Sequence, residues 1–254
     1  MRLSKTNLLM IPAFVCLAIL TSCGSGRYKI PPFGGMNGRV QKVTTKHLMA
    51  EVWAANNPRT PVMKMISSVY DTEGNEICSA LMDSAGRILS EAESLFENGV
   101  CIRSAMRAGG RTIAHLSLVS ENRGVLEYNK EIDGRIVRMT VRESGLGRRH
   151  KSVVTEDGKV TKESITLTDR KGHPIEVTTI EPLTGNKTVE KNILDKDFNV
   201  IEKHVTTLID GKTEERITYI EYFAPDKNGN WTEARTYNDF RMPDEIILRE
   251  FEYW

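Results

Sequence analysis

From Val62 onward the chain alternates short runs of β-branched and aromatic residues with polar breaks. Residues 160–168, 175–180, 200–209, 216–223 and 245–253 are such runs, and side chains within them alternate with a period of two. The alternation is imperfect. Ile201, Val205 and Ile209 share a face with Lys203 and Thr207, while Val62, Ile66 and Tyr70 share one with Lys64 and Ser68, leaving Met63, Met65 and Val69 on the other. Such runs suit antiparallel strands with one wet face and one partly covered face. Two segments are ambiguous. In residues 40–55, Val43, Thr44 and Thr45 favour a strand, whereas Leu48, Met49, Val52 and Trp53 match a helical stripe, so a strand with a helical turn is expected. Ile88, Leu89, Ala92, Leu95 and Phe96 also fall at helical spacing. Glycine turns at 86 and 99 leave only the length of the neighbouring strands, and that context outweighs a local preference of a few tenths of a kcal/mol per residue.

The breaks carry turn chemistry. In Asp71-Thr72-Glu73-Gly74-Asn75 an Asp carboxylate can accept from the backbone two residues on and Gly can take φ > 0, so the spacing predicts a hairpin. The same spacing recurs at Asp83 to Gly86, Asp169 to Gly172 and Asp226 to Gly229, with shorter versions at Asn98-Gly99, Asp133-Gly134, Asp157-Gly158 and Asp210-Gly211. The fold class that follows is all-β, a long antiparallel meander of about fourteen strands. Laid flat these would span roughly 65 Å, and open twisted sheets rarely exceed about ten strands. The sheet must curl into a half-pipe, close into a barrel or fold into a sandwich, and an open form leaves two unpaired edges.

The amino terminus reads differently. Arg2 and Lys5 precede an uncharged apolar run from Leu8 to Leu20 that has signal-peptide length and is too short to span a bilayer. Its end, Leu20-Thr21-Ser22-Cys23, resembles a bacterial lipobox. That resemblance implies a signal peptide over residues 1–22, cleavage before Cys23, and acylation of the Cys23 sulfur and its new amino group, enough chains for stable anchoring. Gly24, Ser25, Gly26, Pro31, Pro32, Gly34 and Gly35 make residues 23–37 a flexible tether, and residues 38–254 a single β-meander domain. The domain's core is expected to be thin, because apolar residues are 39% of the chain and aromatics 7%.

Tyr70-Asp71-x-x-Gly74-Asn75 and Asp226-x-x-Gly229-Asn230-Trp231 resemble the tyrosine-aspartate repeats of Rhs-type proteins, and more closely the repeat-containing lipoproteins of Bacteroidetes. The likeness runs from Gly38 to the end, with two good copies of the repeat. It implies a curled shell of hairpins that acts as scaffold. Surface lipoproteins of that phylum carry acidic residues after the lipidated cysteine, whereas Arg27, Tyr28 and Lys29 follow here, which implies the periplasmic face of the outer membrane.

Chemistry is sparsely advertised. Without Arg2 and Lys5 there are 33 basic against 34 acidic residues, a balance that gives no field to recruit nucleic acid. His47, His115, His150, His173 and His204 are dispersed, and neither Cys78 nor Cys101 has a Cys-x-x-Cys partner, so no metal or cofactor is expected. In a meander Cys78 and Cys101 would sit on strands about 9.6 Å apart, beyond the roughly 7 Å reach of a disulfide. Asp195, Asp197 and Asn199 space oxygens like calcium ligands but lack the glycine and distal glutamate of an EF-hand, and turn capping explains them. Arg148, Arg149, His150 and Lys151 form one basic cluster, open to a solvated loop or to an anionic or lipid headgroup. Trp231 and Trp254 are expected in the core.

These readings predict a lipid-anchored outer-membrane protein whose domain is a structural or protein-binding module of the cell envelope, engaging another envelope protein through a strand edge or a concave face. The alternatives are a periplasmic lipid or lipoprotein carrier with an apolar concave sheet face, and an enzyme without a linear motif; no catalytic residue is expected. If Cys23 is the acylated residue, Cys23→Ser moves the protein from the membrane to the soluble fraction without unfolding it. Fractionation of cells expressing the variant checks this, and continued membrane association would sink it.

Overall fold

A computed structural model describes residues 35–50 and 62–254. The signal segment, Cys23, most of the tether, and Val52 with Trp53 lie outside the described residues. The described chain forms sixteen strands: β1 (Val40–Met49), β2 (Val62–Tyr70), β3 (Glu76–Met82), β4 (Ile88–Glu97), β5 (Val100–Ala108), β6 (Arg111–Asn122), β7 (Val125–Ile132), β8 (Arg135–Leu146), β9 (Arg149–Glu156), β10 (Lys159–Thr168), β11 (Pro174–Glu181), β12 (Asn186–Leu194), β13 (Val200–Ile209), β14 (Lys212–Pro225), β15 (Trp231–Tyr237) and β16 (Pro243–Tyr253). Each pairs antiparallel with its neighbour in sequence, and β1 pairs with β16, so the meander closes into a barrel. The ambiguous segment at 88–97 is strand β4. Residues 40–49 are strand β1, with a helical residue at Ala50.

The turns explain why the chain folds back where it does. In the Asp71 hairpin the Asp71 amide donates to the Asn75 carbonyl, the Gly74 amide to the Asp71 carbonyl, and Asp71 Oδ1 accepts from the Glu73 and Asn75 amides at 2.9 Å each. The same bonds recur around Asp83, Asp169, Asp195, Asp226 and Asn238. Each needs a left-handed residue at its fourth position, supplied by glycine at Gly74 (φ 88°) and Gly229 (φ 83°) but by Phe198 and Arg241 elsewhere. The tighter connections, such as Asn98-Gly99 and Asp210-Gly211, have φ > 0 at both residues and are type I′ turns.

Three expectations need correction. There are sixteen strands where glycine markers suggest about fourteen, because the Asn238 turn between β15 and β16 carries Arg241 at φ 60° in place of glycine, and β1 precedes the first marker. The sheet also has no unpaired edge, since β1 and β16 are matched over nine residue pairs from Val40 with Tyr253 to Met49 with Glu245. Trp254 is a third correction: it is 53% exposed, with its amide donating to the Arg39 carbonyl.

Register decides which face is inside. The cross-strand row Leu118, Tyr128, Met139 and the row Leu126, Val141, Val154 lie on one face, and Leu126, Tyr128 and Met139 are fully buried. Among the described residues only strands and short turns surround this part of the sheet, which places the cover of these side chains within the barrel. The alternate face carries Glu127 with Arg138 at 2.7 Å, Lys42 with Glu252 at 2.9 Å, Lys151 with Glu163 at 2.8 Å, and Arg107 between Glu91 and Glu93. That face is the outer wall. Cys78 lies on it and Cys101 is buried on the inner face, so the two free thiols are separated by strand β4 and by the sheet itself.

The closing seam is reinforced at one end. Asn230, buried in the Asp226 turn, accepts from the Asn37 amide at 2.7 Å and donates to the Asn37 carbonyl and to Tyr253 Oη, both at 2.8 Å. Tyr253 Oη also bonds the Asp226 carboxylate, and Met36 packs on the Val40, Val43 and Tyr70 cluster. One turn thus fastens the segment leading into β1 to the end of β16. Because Gly229 holds φ 83° and a Cβ there would meet nothing closer than Asn37 Nδ2 at 3.6 Å, the penalty for a side chain is backbone strain alone. Gly229→Val is expected to destabilise by about 1–3 kcal/mol in denaturant unfolding. A neutral result would show that the turn relaxes without the left-handed residue.

Candidate functional site in the barrel lumen

Closure of sixteen strands gives the sheet an inner wall, and in membrane porins barrels of this strand number leave a channel. The inner wall has three sectors. One, on β6 to β9, is apolar and built from Leu116, Leu126, Tyr128, Met139, Val141 and Val154, with Tyr128 Oη donating to the Cys101 carbonyl at 3.0 Å. A second, on β16, β1 and β2, contains Phe251, Val43 and Tyr70. Between them the registered rows of β9 to β13 place Ser152, Ser164, Thr179, Thr188 and Thr207 side by side, a hydroxyl-rich strip. The wall is therefore amphipathic, which is the physical meaning of the imperfect alternation along these strands.

Charges on the inner wall are held mostly in pairs. Lys130 meets Glu156 at 2.6 Å, Lys203 meets Glu190 at 3.1 Å, and His47 meets Glu245 at 2.8 Å. Glu143, Lys162 and Arg249 are inner groups with no such ion pair among the described residues, and burial shifts each of them. Glu143 has a buried Oε2 with no hydrogen-bond partner, and burial pushes its pKa up to about 7. Burial pulls Lys162 down to about 8, opposed by the charge of Glu181. Arg249 is the third: its guanidinium lies 3.6 Å from the Trp231 ring centroid, its Nε is buried without a partner, and burial lowers its pKa to about 10 against the opposing influence of Tyr222 and Tyr70. Trp231 in turn meets the Tyr222 ring at 5.0 Å, and Tyr222 Oη donates to the Val200 carbonyl at 2.9 Å. Burial pushes both phenols up to about 12, so they are neutral at physiological pH.

The residues singled out from sequence lie elsewhere. Asp71, Asp83, Asp169 and Asp226, with Gly74, Gly86, Gly172 and Gly229, form the turns, and their carboxylates are occupied by backbone amides. Asp195 caps its turn likewise, accepting from the Asp197 and Asn199 amides. The basic cluster is split by the strand: Arg148 sits in the β8–β9 turn, Arg149 and Lys151 point outward with Lys151 paired to Glu163, and His150 points inward. It is not one patch. His173 stacks on Phe198 at 4.2 Å between two neighbouring turns, while His115 accepts from Arg103 Nε at 2.9 Å and His204 meets Glu202, both on the outer wall. Among the described residues no three His, Cys, Asp or Glu side chains converge as a metal site would require. Sequence reasoning passed over Glu143, Lys162 and Arg249, which carry no motif; it is inward register without an ion-pair partner that sets them apart.

No family model matches the chain, and no curated protein does. Among solved structures it is similar to a porin-like protein from Bacteroides uniformis ATCC 8492, at 8% identity and a TM-score of 0.38 over 85% of this chain and 98% of that one. A porin-like protein from Bacteroides vulgatus ATCC 8482 matches at 10% identity and a TM-score of 0.39, over 85% of this chain and 98% of that one. Neither match lends this chain a function.

Glu143 makes the lumen pH-sensitive. Its unfolded carboxyl ionises near 4.5 and its folded one near 7, so between those values the folded state holds more protons and stability falls as pH rises. Glu143→Gln is expected to flatten that fall, melting higher than wild type at pH 8 and close to it at pH 4. Thermal melts at the two pH values test this, and an equal difference at both would mean the carboxyl is not desolvated.

Proposed function

We propose that this protein is a lipid-anchored barrel of the cell envelope that stands in water and carries an amphiphilic molecule in its lumen. The observation that supports this is the inversion of the wall. A barrel that spans a bilayer needs an outward apolar band about 25 Å tall, and charges at its midplane cost roughly 2–4 kcal/mol each. Here the outer face is crossed by ion pairs along its strands, including Lys46 with Glu250 and Glu127 with Arg138, which interrupt its apolar side chains, while the fully buried Leu126, Tyr128 and Met139 point inward. A wall interrupted in this way offers lipid no continuous apolar band, and on this reading the guest lies along the inner face.

Closure also removes the basis for recruiting another envelope protein by strand addition, because every strand already has two partners. The carrier reading therefore ranks above the structural module. An acylated Cys23 would tie the barrel to the outer membrane through the tether, at the end where β1 begins and the Asp226 turn fastens the seam.

The chain carrying Cys23→Ser is expected to remain monodisperse without detergent and to give no conductance steps in a planar bilayer, while organic extraction after purification from its own envelope yields an amphiphile at near-stoichiometric amount. Channel formation, or a protein soluble only in detergent, would overturn the proposal.

A further inference from the structure

Arg249 is the inner charge least accounted for by the fold. A guanidinium remains cationic at physiological pH, and withdrawing it from water without a counter-charge is among the costlier arrangements a fold can keep. Lys130, Lys203 and His47 on the same wall each meet a carboxylate. Arg249 meets none among the described residues: its Nε is buried and unbonded, and the titratable groups that influence it are the phenols of Tyr222 and Tyr70. Both phenols are neutral at physiological pH, so they do not supply the missing charge.

The side chain is nonetheless held in place. The face of Trp231 lies under the guanidinium at 3.6 Å, and Tyr222 braces Trp231 from β14. Stacking fixes the plane of the fork, and a planar guanidinium can grip a carboxylate or phosphate by two parallel hydrogen bonds along its edge. The surroundings suit the rest of an amphiphile: Thr45 and Ile66 continue the cross-strand row of Arg249, and Phe251 and Val43 form the next row.

We infer that Arg249, stacked on Trp231, is the anchor for the anionic headgroup of an amphiphile, a carboxylate or phosphate, whose apolar body lies against Val43, Ile66 and Phe251. The inference rests on the carrier reading and adds the charge of the guest and the residue that selects it.

Calorimetric titration of the full chain carrying Cys23→Ser, so that its own acyl chains do not compete, tests both levels with three probes: oleate, octadecyl phosphate and neutral octadecanol. The expected result is that one or both anionic probes bind at least about tenfold more tightly than octadecanol, and that Arg249→Met abolishes this preference. Which anion binds more tightly assigns the headgroup. Arg249→Met is also expected to melt at a higher temperature than wild type without ligand, because it removes an uncompensated buried charge. Equal binding of all three probes by wild type and variant would overturn the anchor and leave the carrier standing. No binding of any probe by folded wild type would overturn both. A lower melting temperature for Arg249→Met with probe preference intact would mean that Arg249 serves only to pack Trp231.

Discussion

Pairing of the first strand with the last is the contact on which the rest of this molecule depends. Thirteen of the sixteen strands, β3 to β15, find both partners through short turns to their neighbours, but β1 and β16 lie some two hundred residues apart in sequence and must meet in register. Loop-closure entropy opposes that meeting, and the growth of the cost with length is slow enough for a long ladder to overcome it. The ladder is helped by charge on the outside, through Lys42 with Glu252 and Lys46 with Glu250, and by apolar contact inside, through Val43 with Phe251. At one end the Asp226 turn, through Asn230, Asn37 and Tyr253, holds both termini of the sheet together. That turn is one of the two good copies of the repeat, so the motif that shapes hairpins elsewhere also fastens the barrel.

Closure underlies the function proposed for this barrel. A sheet with no edge cannot recruit a strand, and a wall crossed by ion pairs is poorly suited to lipid. What remains is the lumen, whose wall is apolar in two sectors and hydroxylated in a third. The side-chain alternation that makes each strand look imperfectly amphipathic is the record of this division. Lys203 sits among Ile201 and Val205 and meets Glu190, its diagonal neighbour on β12.

The inner charges differ from one another in what they ask of the fold. Paired groups such as Lys130 and Glu156 are internally balanced, and their burial needs nothing further. Glu143, Lys162 and Arg249 are displaced from their ordinary ionisation by burial itself. Glu143 can respond by taking a proton near neutral pH, and Lys162 by losing one at mildly alkaline pH. Arg249 has no such escape in the physiological range, which is why it bears most directly on what the lumen holds.

How far the sequence reaches can be read from particular residues. Asp71, Asp83, Asp169 and Asp226 with their glycines are legible because a turn is closed by atoms two to four residues apart, and the strands between them follow from period-two patterning. The turn at Asn238 is hidden because Arg241 occupies a position where glycine is the usual marker. The separation of Cys78 from Cys101 also follows from meander geometry alone. Barrel closure does not, since it depends on curvature summed over sixteen strands and on a pairing between the two ends of the chain. Nor does the candidate site: Arg249, Trp231 and Tyr222 come from three strands and carry no shared spacing, and Arg249 is indistinguishable in sequence from the outward Arg235 until the register assigns each a face. Local chemistry determined the turns and strands; only the closed sheet, by dividing inside from outside, decided which charges are buried and so where a ligand would be held.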